Sequence, residues 1–495
     1  MAGVVAAGDP QTADAGATLL RAGGNAVDAA VGMALAACVA EPLLCSVGGG
    51  GMMTVFLTEA DPLVFDFFPA APELRREDLT TELAFHGTEL DFGSAVQTFH
   101  IGRGSVAAPL VLDGLAEAQG RYGRLGLATV TAPAIALCRD GVIVTPATAS
   151  VFELLWGIVA SDPKTAALYS GDGQPPTEGT RLKNPALAQT LEDFAHHHAA
   201  PPAFRRALRS EFGPEAGGLL DDRALAVAPR IVAPALVELQ DSAVFTAPRA
   251  GGAALREILH RLDGETTEGE VAAALAHATV LRDLRPVAAR SQTTHASVVD
   301  GSGQAASVTL SNGEGSGLLI GDTGVQANNF LGEEDINPRG FHRYEPGAPL
   351  PSMIAPTVAL RHRSDGPTVF ALGSGGANRI RSAMGRVTHA CLSKDAWQSR
   401  DTSLAKKDAS DLTALLEAAV HAPRVHAEGD AAWVELEGWE APEAVQAALR
   451  REFDEVREFP RQAFFFGGVH AVARRADGAV GGVGDRRRGG ATRTE

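Results

Sequence analysis

Four cysteines in 495 residues (Cys38, Cys45, Cys138 and Cys391) are too few for a disulfide framework and exclude the small, loop-rich scaffolds that depend on one. Cys38 and Cys45 lie in an apolar, glycine-bounded segment and read as buried small hydrophobes. A basic surplus is lacking too. Lysine and arginine total 43 against 60 aspartates and glutamates, a net charge of −17, so nothing is available to neutralise a nucleic-acid backbone. The one dense basic run, Arg486-Arg487-Arg488, reads as a solvated tail or loop. Long hydrophobic runs are missing: Ala26 to Pro42 contains Asp28 and Glu41 and falls short of the ~20 apolar residues that span a bilayer. The first residues, Met1 to Ala7, carry no charged n-region and run directly into Asp9-Pro10, so no signal peptide is read and the expected location is cytoplasmic. Metal-ligand spacing is absent around His196-His197-His198, which reads as a solvated helix end. Gly48 to Gly51 is not followed by Lys-Ser/Thr and enters a strand, so it makes no phosphate cradle. Neither metal, cofactor, membrane nor nucleic acid is expected as a partner.

What is present describes a large globular protein. Hydrophobic residues make up 45% of the chain, and the mean hydropathy is close to zero. The length exceeds the usual single-core limit of about 250–300 residues, which calls for two lobes or one large layered domain. A short apolar run over Gly3 to Ala7 precedes a helix ending at Gly23-Gly24. Asn25 then caps an alanine-rich helix over Ala26 to Val39 that is apolar all round and expected to be buried. Further helices are expected over 110–122, 131–139 and 253–262. From Gly264 to Arg290 the chain is charged and alanine-rich, as an accessible segment would be. Beyond Thr293 the pattern turns to short alternating runs between glycines, which are strands (295–300, 305–310, 357–361, 368–372, 433–436 and 469–474). Helices over 379–391, 412–419 and 441–453 alternate with them.

The run Gln292-Thr293-Thr294-His295-Ala296-Ser297-Val298-Val299-Asp300 places a polar step at the start of a strand. A threonine hydroxyl is a weak nucleophile, and an adjacent amine that takes its proton is one way to activate it. This run resembles the processing site of the γ-glutamyltransferase family of N-terminal nucleophile hydrolases. So do "LLRAGGNAVDAAV" (19–31) with "SVGGGGMMTVF" (46–56), the Gly/Pro entry and "YG" turn within 105–147, "SVTLSN" (307–312) and "LGSGGANRIRSA" (372–383). The motifs recur in order along about nine-tenths of the chain. The resemblance implies an α+β fold, a four-layer αββα sandwich built jointly by two fragments of one precursor. A large subunit would span residues 1–292, with an exposed segment over about 264–292, and a small subunit 293–495 would carry the nucleophile.

The same resemblance implies the site. Thr293, freed by scission of Gln292–Thr293, would be the nucleophile, and Ser311 the hydroxyl that bonds it. Asn312 would hold the head of the donor. Gly375 and Gly376 would form the oxyanion hole, or Gly376 and Ala377 if the match slides by one. Glu333 would bind an α-amino group, with Glu334 a residue away, and Ser352 would remain from a serine pair whose other member is Pro351. Two positions depart from the pattern. Phe68 stands where an arginine normally grips the α-carboxylate of glutamate, which a phenyl ring cannot do, and Phe330 replaces a polar residue. Arg75 or Arg76 is a nearby substitute for the missing cation. The leading expectation is a self-processing hydrolase of γ-glutamyl amides such as glutathione that passes the acyl group to water or an amine. The alternatives are an amidase or acylase with a less polar pocket lined by Phe68 and Phe330, and an unprocessed binding protein.

Overall fold

In the computed structural model, which describes residues 2–91, 96–262, 267–280, 293–393 and 412–495, the first helices start where their capping residues dictate. Asp9 accepts the Gln11 N–H and Pro10 takes the first position of the helix Pro10–Arg21. Asn25 and Asp28 form a reciprocal capping box for Ala26–Ala40. Every residue of that second helix is buried, as its unbroken apolar surface demands. It lies between the other helices and a seven-stranded sheet.

That sheet runs in the order Ala491–Thr494, Val4–Ala7, Thr293–Val299, Ala305–Ser311, Gly50–Leu57, Ala60–Asp66, Arg230–Val232. A six-stranded sheet follows the order Val480–Val483, Gly468–Arg474, Thr368–Gly375, Thr357–Arg361, Ser242–Thr246, Ala235–Leu239. All neighbours in both are antiparallel. The two sheets meet through small side chains, Val4, Ala6, Val299 and Ala305 against Val358, Val369, Ala371 and Val472. Helices cover both outer faces. The N-terminal helices pack on the first sheet through Ala29, Met33 and Leu35 against Ala296, Val298 and Val308. The helices Ala250–Leu262, Arg379–Leu392 and Leu412–Val420 cover the second through Leu255, Met384 and Leu416. A small three-stranded sheet, with strands Val425–Glu428, Ala431–Glu435 and Glu455–Phe459, stands beside them.

Side-chain alternation along Thr293–Val299 positions the site. Ala296 and Val298 face the helices. His295 and Ser297 face the second sheet, where the His295 ring lies against Gly373 and Ser297 donates to the His470 carbonyl at 3.0 Å. Burial holds both imidazoles uncharged, His295 well below and His470 down to about 4.

Two expectations fail. The charged, alanine-rich stretch after Gly264 is not simply accessible. It holds the helix Glu268–Val280, whose Val271, Ala272 and Leu275 pack on Val434, Val445 and Leu449; the alanines that looked like linker composition form its inner face. Arg486-Arg487-Arg488 is no solvated tail either, since only Arg486 is exposed. Arg487 bonds Glu435 and Asp485, and Arg424 bonds Asp485 at 2.6 Å, all four groups being fully buried. Burial pushes the Asp485 carboxyl up, but Arg424 and Arg487 more than offset it and hold it below the ordinary range. The four cysteines are free and buried. Among the described residues no helix is long and apolar enough to cross a membrane.

Candidate active site

Thr293 is the first residue of its strand and is buried, directly opposite Ser311 in the neighbouring strand. Both line an open cavity of about 400 Å³ together with Phe68, Glu333, Asp335, Ser352 and Asn378. Thr294, one step on, points to the opposite face and donates to Glu41 Oε2 at 2.7 Å. Glu41 also accepts from Thr12 at 3.3 Å. Burial, reinforced by Asp9, pushes the Glu41 carboxyl up to about 8 in spite of these two donors.

The strand Thr368–Gly375 ends against the back of Thr293. A β-carbon on Gly375 would overlap the Thr293 carbonyl oxygen, and one on Gly376 would lie 2.8 Å from Gly467 Cα. Gly376 has φ +130° and Ala377 φ +51°, a turn that reverses the chain into the helix Arg379–Leu392. The first N–H groups of a helix have no partner within it and carry its positive end, and here that end opens beside the cavity, which Ala377 and Asn378 line.

Sequence expectation and geometry agree in bringing Thr293, Ser311, Glu333, Ser352 and Phe68 to one cavity. Phe330 is buried immediately behind it, its ring 4.7 Å from that of Phe68. Asn312, fully buried, has neither amide atom hydrogen-bonded among the described residues. Such a side chain is costly in isolation and suits a ligand. Gln292 lies outside the described residues. Glu334 is exposed and belongs to an adjoining cavity with Glu314 and Asp335. Arg75 and Arg76 are exposed, line no part of the Thr293 cavity, and Arg75 pairs with Glu77 at 3.8 Å. A cation does lie by the Phe68 ring: Arg249, 5.9 Å from its centroid and tied to Asp66 at 2.7 Å.

Sequence reasoning missed Asp335, which lines the cavity with Glu333. Burial and then Glu428 push its carboxyl up to about 7. Its only signal was the acidic run Glu333-Glu334-Asp335. It also missed the apolar wall made by Ile336, Ile354 and Ile380.

The family profile described as Gamma-glutamyltranspeptidase matches residues 12–281 and 272–494. The Acylase ACY 1 proenzyme of Pseudomonas sp. (strain SE83) is 30% identical over 97% of this chain and 91% of its own length. The glutathione hydrolase proenzyme of Escherichia coli (strain K12) is 25% identical over 76% of each. Among solved structures, a cephalosporin acylase from Bacillus halodurans superposes with a TM-score of 0.77, covering 99% of this chain and 95% of that one at 21% identity. That likeness shows a shared mixed α+β fold.

Proposed function

The chain belongs to the γ-glutamyltranspeptidase family of N-terminal nucleophile hydrolases, and from that premise we propose that it is a self-processing acylase whose donor is an amide with a largely apolar acyl group. The observation that carries this reading is the Phe68–Phe330 ring pair. Phe68 stands at the position where the family resemblance calls for the arginine that grips a glutamyl donor, and the ring pair continues into an apolar cluster with Ile336, Leu350 and Ile354. The greater similarity to an acylase proenzyme than to a glutathione hydrolase supports it.

Maturation cuts the Gln292–Thr293 bond and frees the Thr293 α-amino group. That amine accepts the Thr293 hydroxyl proton as Oγ attacks the acyl carbonyl. Ser311, opposite in register, orients Oγ. The negative oxygen is received by the turn Gly375-Gly376-Ala377, whose N–H groups stand at the positive end of a helix. Collapse breaks the C–N bond, the leaving amine takes the proton, and water or another amine then releases the acyl group. Asn312 and Ser352 supply polar contacts to the donor. Glu333 and Asp335 accept an amine where one is present, and this feature favours the second reading, hydrolysis of γ-glutamyl amides.

A panel of chromogenic acyl anilides on processed protein separates the two. Plain alkanoyl or arylacetyl anilides are expected to exceed γ-glutamyl anilide in kcat/KM by about tenfold or more, because a donor carboxylate without its partner forfeits roughly 1.5–3 kcal/mol. Tight binding of glutathione with rejection of glutaryl anilide would overturn the acylase reading. A full-length mass with no fragments in active preparations would remove self-processing.

A further inference from the structure

Arg488 is buried beside that ion cluster, yet among the described residues its Nε and Nη1 have no hydrogen-bond partner. Its guanidinium carbon sits 3.9 Å from the centroid of the Phe464 ring. The other end of its environment is the turn behind Thr293. Nη1 is 3.5 Å from where a β-carbon of Gly375 would stand, and Nη2 is 3.6 Å from the equivalent point on Gly376. Gly468 clears room for the stem, since a β-carbon there would come within 2.9 Å of Arg488 Cβ, Cγ and Cδ. Three glycines thus surround one arginine.

The neighbouring carboxylates are engaged elsewhere. Asp485 takes Arg424 and Arg487, and Glu41 takes Thr12 and Thr294. Burial is the main influence that draws the Arg488 guanidinium down to about 9, with Arg379 adding to it and the charges of Asp485 and Glu41 offsetting it only in part. A cation held in this way is unfavourable in the resting protein. It becomes favourable when a negative oxygen appears nearby, and an interaction made only in the transition state raises turnover rather than affinity.

We propose that Arg488 is a positioning residue for acyl transfer: lodged behind the Gly375–Gly376 turn, it holds the turn in place and supplies the positive field that stabilises the tetrahedral oxygen. The inference rests on the assignment of that turn as the oxyanion site. An oxyanion then gains a countercharge prepared in advance, with no reorganisation during the reaction.

The test uses full-length protein carrying a specific protease site before Thr293, so that turnover is measured whether or not a variant cuts itself. Arg488→Met is expected to lower kcat by about tenfold or more with KM within about twofold, and Arg488→Lys, which keeps the charge, to recover part of the loss. Arg488→Met with kcat near wild type would overturn the proposal. So would Arg488→Lys no better than Arg488→Met, because packing on Phe464 would then be the only role. Should Arg488→Met fail to fold, Arg488→Gln and Arg488→Lys make the same comparison. Gly376→Val separates the two levels: if it too keeps normal kcat, the turn is not the oxyanion site, whereas if it alone loses kcat, only the role of Arg488 fails.

Discussion

Thr293 and Thr294 are adjacent in sequence and opposite in role, because alternation along a strand sends one side chain into the cavity and the other to Glu41. Replacing Thr293 with alanine should give a single uncut chain without activity. Cleavage of that variant at the same bond, read by intact mass, would implicate an outside protease. Phe68 offers the complementary test. With a cation restored by Phe68→Arg, γ-glutamyl anilide turnover should rise by about one to two decades relative to alkanoyl anilides, and unchanged relative rates would place selection elsewhere. That Thr293 and Phe68 share a cavity and that Gly375 and Gly376 turn behind Thr293 was legible in the sequence, since each stands in a run of fixed spacing. Asp335 and Arg488 were not. Their surroundings depend on what other segments bring beside them, and a charged residue looks the same in sequence whether it meets water or protein.

At the scale of elements, the ion cluster of Arg424, Glu435, Asp485 and Arg487 fastens the end of the chain to the loop behind the Gly375–Gly376 turn. Arg424 donates to the carbonyls of Phe466 and Gly467, and Gly467 packs on Gly376. Asp485→Asn strips a partner from two buried arginines and should cost about 3–5 kcal/mol, visible as a lowered midpoint in urea. A midpoint within error of wild type would mean the cluster is dispensable. Glu41 makes a pH-dependent link between helix and strand. Its folded pKa, about 8, lies above its ordinary value of 4.5, so the folded state holds a proton that the unfolded state has released. Stability therefore falls as pH rises from about 4.5 towards 8. Glu41→Gln should flatten that decline in urea titrations taken between pH 5 and 8, and an unchanged slope would assign the dependence to other groups. Capping residues and glycines announced these helices and strands well. The helix Glu268–Val280 escaped because an alanine face against a small satellite core has almost the composition of a linker.

Across the whole molecule, the bond before Thr293 divides the sequence but not the architecture. Strand Val4–Ala7, from one side of that bond, is flanked by Thr293–Val299 and Ala491–Thr494 from the other. Strands from both sides also make up the second sheet, where Ser242–Thr246 pairs with Thr357–Arg361. This layered arrangement agrees with the architecture expected from the order of motifs, although which strand neighbours which could not be read from periodicity. The two products of scission should therefore elute as one species under native conditions while giving two bands in denaturant.

If the bond before Thr293 is cut as proposed, the threading of Val4–Ala7 between two strands of the other product also gives maturation a direction in time. Before the cut, that strand finds its slot as part of a single polymer, at an effective concentration fixed by the connecting chain. Afterwards the same pairing is a second-order encounter between separate molecules. Recovery from urea should then be independent of dilution for the uncut Thr293→Ala chain and should fall steeply with dilution for the mature enzyme. A bond broken for chemistry would thus leave a protein that persists by the slowness of its unfolding rather than by its ability to refold.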